Sequence, residues 1–92
     1  MIRSFKHKGL RQLYETGSKR GIPQQLVARL TLQLDVLNRA KELRDISLPG
    51  FDLHQLKGDR KDSWAIKVRA NWRLVFRFSD ENVHDVNFED YH

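Results

Sequence analysis

Apolar and polar residues alternate most regularly between residues 64 and 78. Every second side chain in two runs of this stretch is apolar: Trp64, Ile66 and Val68, then Trp72, Leu74, Phe76 and Phe78. A period of two over two runs is typical of paired strands with one buried face. The pattern predicts a β-hairpin whose apolar face, including both tryptophans, packs in the core. The opposite face carries Lys67, Arg73 and Arg77.

The loop of this hairpin follows from the rule that opposite residues point to the same face. A two-residue loop would set Val68 opposite Arg73 and mix the faces, because a slip of one residue turns every side chain over. A three-residue loop of Arg69, Ala70 and Asn71 avoids this, with Asn71 in the left-handed conformation that Asn tolerates. The predicted pairs are Val68–Trp72, Ile66–Leu74 and Trp64–Phe76.

Two helices are predicted before the hairpin. Residues 6–15 have apolar side chains at helical spacing, and Gly17 is a suitable helix stop. Residues 24–44 form the longer helix, since Pro23 is tolerated in a first turn. Two adjacent apolar stripes run along this longer helix, and its charged residues allow it to lie on a sheet with one face in water.

Three further strands are predicted over residues 1–5, 51–57 and 84–89, with a polar loop at residues 58–63. The order is therefore β-α-α-β-β-β-β. This order predicts a small α+β fold, with two helices packed on one face of an antiparallel sheet of about four to five strands. The length of 92 residues is that of one domain with one modest core.

The last predicted strand pairs with the second hairpin strand through charge as well as apolar contact. Setting Arg73 opposite Glu89 and Arg77 opposite Asp85 places opposite charges across from each other, which is favourable. The predicted apolar pairs of this register are Phe76–Val86 and Leu74–Phe88.

Composition adds a basic balance and the absence of cysteine. Lys and Arg number 17 against 12 Asp and Glu, for a net charge of +5. This excess fits a polyanionic partner such as nucleic acid, although solubility alone also accounts for it. A chain without cysteine has no disulfides and no thiolate metal sites. Because no apolar run reaches membrane-spanning or signal-peptide character, we expect a soluble, cytoplasmic protein with no membrane association.

The first group of candidate functional residues is the run Asp90, Tyr91 and His92. His titrates near neutral pH and can take or give a proton. Tyr can donate a hydrogen bond or stack on a base, and Asp90 could orient the imidazole. The alternative is a solvated tail in which the His has no role.

The second group is His54 with the basic loop that follows it, which contains Lys57, Asp59, Arg60 and Lys61. A His beside a basic, Gly-containing loop would suit a phosphate that is held while a neighbouring group is deprotonated. The alternative is a solvated loop tip and an ordinary surface His.

The third group lies on the polar face of the hairpin, where Lys67, Arg73 and Arg77 are joined by Arg69 and Asn71 at the turn. Arg makes bidentate contacts to phosphate, which suits RNA binding. The alternative is that these arginines pair with the acidic residues of the last strand.

The three groups together fit the chemistry of a metal-free ribonuclease. Such an enzyme needs a base for the 2′-hydroxyl proton, cations for the charge that develops on the phosphorane and an acid for the 5′-oxygen. His, Lys, Arg and Tyr gathered on one sheet face would supply all three. We expect no cofactor and no metal, because there is no nucleotide-binding Gly loop and the four His lack ligand-like spacing.

Four segments in order resemble the HigB toxins, a family within the RelE/ParE superfamily: SFKHKGLRQLYETG, LHQLKGDR, WAIKVRANWRLVF and NFEDYH. The resemblance covers nearly the whole chain and implies one RelE-like domain over residues 1–92. It further implies a ribosome-dependent messenger RNA endonuclease, and neutralisation by HigA, a helix-turn-helix antitoxin that binds DNA. Asp62 stands where many relatives have Gly after the KGDR loop, and Ala65 where Ser is common. We expect these departures to affect the shape of that loop and not the proposed chemistry.

Site residues carry over from the resemblance by position. The implied catalytic residues are His54, Lys57, Arg73, Asp90, Tyr91 and His92. The expected RNA-binding residues beside them are Arg60, Lys67, Arg69, Asn71 and Arg77.

Three classes of function are compatible with these patterns. The first is the ribonuclease toxin. The second is a ParE-like toxin that blocks gyrase without cutting RNA, which has no use for a His54–Lys57 pair beside a terminal Tyr and His. The third is a non-catalytic RNA-binding module, which would need more stacking aromatic residues on the polar sheet face than Tyr91 alone.

Overall fold

Two α-helices pack on one face of a four-stranded antiparallel sheet in the computed structural model, which describes residues 1–90. The predicted α+β architecture is confirmed. The helices are α1 (Lys8–Thr16) and α2 (Val27–Arg39), and the sheet order β1-β2-β3-β4 follows the chain. The strands are β1 (His54–Gln55), β2 (Ser63–Arg69), β3 (Trp72–Ser79) and β4 (Asn82–Asp90). In residues 1–90, no helix is long and apolar enough to cross a membrane.

The core lies between the helices and the apolar face that the alternating pattern predicts. Ile66 and Leu74 are fully buried, and Phe76 is 1% exposed. They share one apolar cluster with the helix residues Leu10 and Leu30. Burial of side chains of this size contributes roughly 1.5–3 kcal/mol each, so the hairpin and the helices stabilise each other.

The β2–β3 hairpin keeps the predicted faces but not the predicted loop. The pairs Trp64–Phe76 and Ile66–Leu74 are confirmed. The three-residue loop is wrong, because Arg69 rather than Val68 pairs with Trp72, and a register shift falls between Lys67 and Arg69. Val68 is thus the extra residue of a β-bulge, which absorbs the mismatch without turning the faces over. The positive φ, 51°, belongs to Ala70 and not to Asn71.

The bulge is held by α2. The Val68 carbonyl accepts a hydrogen bond from Arg29 Nε at 3.0 Å, and the Lys67 carbonyl accepts one from Gln33 Nε2 at 2.8 Å. Gln33 is completely buried. A bulge interrupts the ladder, so partners from outside the sheet satisfy the backbone groups that it exposes.

The β3–β4 pair follows the predicted register over its first half only. Arg73 opposite Glu89 and Leu74 opposite Phe88 are confirmed. Beyond Val75 the register shifts by one, so Arg77 pairs with His84, and the predicted backbone pairs Arg77–Asp85 and Phe76–Val86 do not form. The reason is a tight two-residue turn whose residues both have positive φ, which fixes the register at the far end of the hairpin.

The helix and strand boundaries require several corrections. Gly17 ends α1 in the left-handed conformation, as predicted. The long helix over residues 24–44 is wrong, since α2 ends at Arg39 and Ala40 is extended. The side chain of Asp45 then accepts hydrogen bonds from the backbone N–H groups of Lys41 and Glu42. Such side-chain hydrogen bonds to the backbone compete with helix formation.

The two short predicted strands are also reduced. Residues 1–5 form only two isolated bridges, Ile2 with Val83 and Phe5 with Val86, both parallel. The strand over 51–57 shrinks to His54–Gln55. Phe51 instead lies in the core at 4% exposure, before the strand begins.

Candidate active site

The polar face of the sheet carries two rows of side chains that run across the strands. Paired residues point to the same face, so His54, Ala65, Val75 and Asn87 form one row. Ala65 and Val75 are buried within it, whereas His54 is exposed at its edge. The neighbouring row consists of Lys67, Arg73 and Glu89.

A pocket of about 260 Å³ lies between β1 and the β2–β3 hairpin. It is lined by Asp52, His54, Lys67, Ala70, Trp72 and Arg73. The pocket joins one residue of the second predicted group, His54, to two of the third, Lys67 and Arg73. A proton-transfer group and two cations therefore border one space, and they could supply two of the three parts that in-line cleavage of RNA needs, a base and charge to stabilise the phosphorane.

Trp72 belongs to both the core and the pocket. Its ring stacks on Phe88 with centroids 4.4 Å apart and an interplanar angle of 17°. The residue is half-buried and lines the pocket, a role that its assignment to the core did not anticipate. The position of Trp72 beside the turn, at the start of the second alternating run, was the feature of the sequence that could have indicated this role.

A backbone contact fixes the tautomer of neutral His54. Its Nδ1 atom lies 2.9 Å from the carbonyl oxygen of Asp52. A carbonyl oxygen only accepts hydrogen bonds, so Nδ1 carries the proton and Nε2 carries the lone pair. Nε2 is therefore the basic nitrogen of the neutral ring, and Asp52 holds the ring through its backbone carbonyl.

Glu89 is the centre of a charged network beside the pocket. Its carboxylate accepts hydrogen bonds from both terminal nitrogens of Arg60, from Arg73 Nη2 at 3.3 Å and from Asn87 Nδ2 at 3.2 Å. Burial raises the pKa of the Glu89 carboxyl, but the hydrogen bonds and charges of Arg60 and Arg73 outweigh burial, so the pKa falls below its usual value.

Arg77 lies in a second pocket, of about 230 Å³, which is also bordered by Arg60 and Glu89. Arg77 Nε donates to Asp85 Oδ2 at 2.8 Å, and Ser4 adds a hydrogen bond to the same carboxylate. The hydrogen bond from Arg77 is the largest cause that lowers the pKa of Asp85. Charge pairing of Arg73 and Arg77, the alternative to RNA binding, is thus present in the protein without RNA.

Six of the described site residues that the sequence predicts are exposed and do not line the first pocket: Lys57, Arg60, Arg69, Asn71, Arg77 and Asp90. Lys57 is extended and precedes the 3₁₀ turn Gly58–Arg60. Asp90 pairs with Trp72 at the end of β4. The predicted residues Tyr91 and His92 lie outside the part of the chain that the structure describes.

Comparison with known proteins places the chain in a family. A family model described as the RelE-like toxin of type II toxin-antitoxin system HigB matches residues 3–92. The chain is 46% identical over 92 residues, the full length of both proteins, to "Endoribonuclease HigB" of Proteus vulgaris. It is 33% identical over 82 residues to "Toxin HigB-1" of Vibrio cholerae serotype O1, covering 87% of this chain and 86% of that protein. The chain therefore belongs to the HigB family of RelE-like toxins of type II toxin–antitoxin systems.

Proposed function

We propose that the chain is a metal-independent endoribonuclease that inhibits translation by cutting messenger RNA. The observation that carries this proposal is the pocket shared by His54, Lys67 and Arg73, in which the lone pair of the imidazole is at the exposed Nε2 atom. The similarity to a relative named an endoribonuclease supports it. No protein nucleophile is needed, because the substrate supplies its own.

The proposed reaction is a transesterification within the RNA. The 2′-hydroxyl oxygen attacks the adjacent phosphorus, its proton passes to a base, and the bond from phosphorus to the 5′-oxygen breaks. An acid returns a proton to that 5′-oxygen, so the products carry a 2′,3′-cyclic phosphate and a 5′-hydroxyl. Arg73 and Lys57 stabilise the charge that develops on the phosphorane.

Two histidines share the proton transfers in this proposal. His54 suits the base, since its neutral tautomer already presents Nε2 as an acceptor. His92 is the complementary proton carrier, and Asp90 favours its charged form. Tyr91 stacks on the substrate base or orients the phosphate. An imidazole can either accept or donate a proton, so the two histidines can act as base and acid.

The proposed site of action is the decoding site of the ribosome, in the cytoplasm. The exposed cations Lys57, Lys67 and Arg69, of which Lys67 lines the pocket, support an RNA partner. Membership of a type II toxin–antitoxin family implies an antitoxin, and we propose HigA, a helix-turn-helix protein, bound one-to-one per toxin chain. Purification of a co-expressed pair tests this: toxin that leaves its cognate antitoxin behind would contradict it.

Analysis of cleavage products tests the proposed reaction. His54→Ala and Arg73→Ala should each slow cleavage, and loss of one cation aimed at transition-state charge costs roughly a hundredfold or more. His84→Ala is the matched control, since His84 lies outside the pocket. Products with a 5′-phosphate, or full cleavage by the His54→Ala, His92→Ala double variant, would contradict the mechanism. Inhibition of gyrase by a wild-type protein that leaves RNA intact would contradict the ribonuclease itself.

A further inference from the structure

The Glu89 carboxylate joins three segments of the chain that carry proposed catalytic residues. Arg60 belongs to the 3₁₀ turn that directly follows Lys57. Arg73 belongs to β3 and lines the first pocket. Glu89 itself directly precedes Asp90 on β4. One side chain thus links the Lys57 loop, the pocket and the end of the last strand.

This bridge differs in burial from the ion pairs on the helix surface. The side chains of Arg73 and Glu89 are 16% and 20% exposed and that of Arg60 is 45% exposed, against 77% and 54% for Arg39 and Asp35 on α2. Water competes for the hydrogen bonds of exposed ion pairs, so such pairs contribute little to the stability of the fold. A bidentate Arg–carboxylate contact has a fixed geometry, and Arg60 makes such a contact with Glu89 through both of its terminal nitrogens.

The loop that bears Lys57 depends on this bridge at its tip. At its base, Leu56 N–H donates to the Ser63 carbonyl at 2.9 Å, and Gln55 Nε2 donates to the Lys61 carbonyl. The contact of Arg60 with Glu89 then ties the middle of the loop to the far strand of the sheet. Among the ion pairs that the structure describes within residues 1–90, this is the one that connects the loop to β4.

We propose that Glu89 is a positioning residue that aims Arg73 at the scissile phosphate and holds the Lys57 loop over the polar sheet face through Arg60. The proposal rests on the proposed ribonuclease function, because only that reaction needs the two cations at one phosphate. The competing idea is that Glu89 masks both arginines from RNA, and the experiment separates the two.

Steady-state cleavage by Glu89→Gln tests the proposal, with Asp85→Asn as the matched control. Both changes remove one negative charge from an arginine-bound carboxylate on β4, but only the first releases Arg60 and Arg73. A fall in KM in both variants would report the removal of one negative charge, which both changes have in common. We expect kcat of Glu89→Gln alone to fall roughly ten- to a hundredfold, the effect of a small displacement of groups around the reacting phosphate. An unchanged or raised kcat would overturn positioning, and a raised kcat would establish masking.

Hydrogen exchange in the protein without RNA provides a readout independent of catalysis. Amides of residues 57–62 should exchange faster in Glu89→Gln and in Arg60→Gln than in wild type, and Asp85→Asn should match wild type. Arg60→Gln breaks the connection to the loop without altering Glu89 itself. This variant therefore still tests the role of the bridge if Glu89→Gln folds poorly. Unchanged exchange in Arg60→Gln would overturn the role in holding the loop. If wild type does not cleave RNA but the variants still show these exchange differences, the proposed function is refuted. The role of the bridge in holding the loop then stands.

Discussion

Two histidines show how a single hydrogen bond decides what a residue can do. In the exposed residue His54, Nδ1 donates to a carbonyl, so the lone pair is at Nε2. In His7, Nδ1 accepts from the N–H of Leu10, so the lone pair is used to cap α1. His7 therefore has a structural role, while His54 keeps a basic nitrogen available for chemistry.

The stability of the protein should depend on the protonation of His7. Burial lowers its pKa below the ordinary value of 6.5, so the folded protein prefers the neutral form. The stabilisation is complete above the pKa of the unfolded state and is lost as the pH falls through 6.5 toward the lower folded value. Thermal melts between pH 8 and pH 5 should show this loss in wild type. His7→Asn, which caps without titrating, should show less of it.

Asp85 should contribute a second pH dependence at lower pH. The hydrogen bond from Arg77 lowers its folded pKa below 3.8. The resulting stabilisation is present above the unfolded pKa and is lost as the pH falls through the folded value. We expect wild type to be more stable than Asp85→Asn at pH 6 and the difference to shrink below pH 3.8. A difference in melting temperature that does not change with pH would contradict this account.

At the scale of elements, α2 determines the shape of the hairpin that it covers. Gln33 and Arg29 donate to consecutive carbonyls of β2 at the bulge. Arg29 Nη2 also lies 3.4 Å from the Gly50 carbonyl, and its guanidinium stands over the Phe51 ring. One helix face therefore holds the hairpin end with Lys67 and the segment that leads to His54.

Replacing Gln33 with Leu should destabilise the protein although Leu is more apolar. The Lys67 carbonyl would lose its partner in a partly buried place, and an unsatisfied buried group costs about 1–3 kcal/mol. The buried Gln33 Oε1 has no partner of its own, so its removal offsets part of that cost. Chemical denaturation should show a lower free energy of unfolding for Gln33→Leu than for the exposed control Gln25→Leu. Equal stability of the two variants would mean that the bulge does not need this donor.

At the scale of the whole molecule, the net charge is +5, but some of the cations are already paired with carboxylates and others are not. Arg60 and Arg77 are paired with carboxylates on the polar sheet face. Lys57, Lys67 and Arg69 are exposed and form no ion pair within residues 1–90. Near the proposed site, the attraction of RNA should therefore depend strongly on these three cations.

Ribosome affinity should fall steeply with salt, because phosphate contacts release counterions. Removing one cation that contacts a phosphate lowers the slope of log K against log salt by about 0.7–0.9. We expect Lys67→Gln and Arg69→Gln to have this effect and Arg77→Gln to have a smaller one, since Arg77 already neutralises Asp85. Binding that does not respond to salt would exclude the polar face as the docking surface.

Local patterns in the sequence determined the faces of the sheet and much of its register. Alternation assigned Ile66 and Leu74 to the core, and charge complementarity identified Arg73 opposite Glu89. Gly17 marked a helix end for a reason contained in one residue, its freedom to adopt positive φ. Such features were predictable because each depends on residues that are adjacent in the chain or opposite one another in a regular ladder.

Tertiary structure decided the features in which distant segments settle a local choice. The bulge at Val68 depends on donors from α2, and its extra residue leaves the alternation unchanged, so no pattern revealed it. The sequence likewise proposed His54 and Arg73 as site residues, but only the folded sheet brought both to one pocket. The contact of Arg60 with Glu89 joins a loop to the far strand, because hydrogen bonding depends on distance in space and not on separation along the chain.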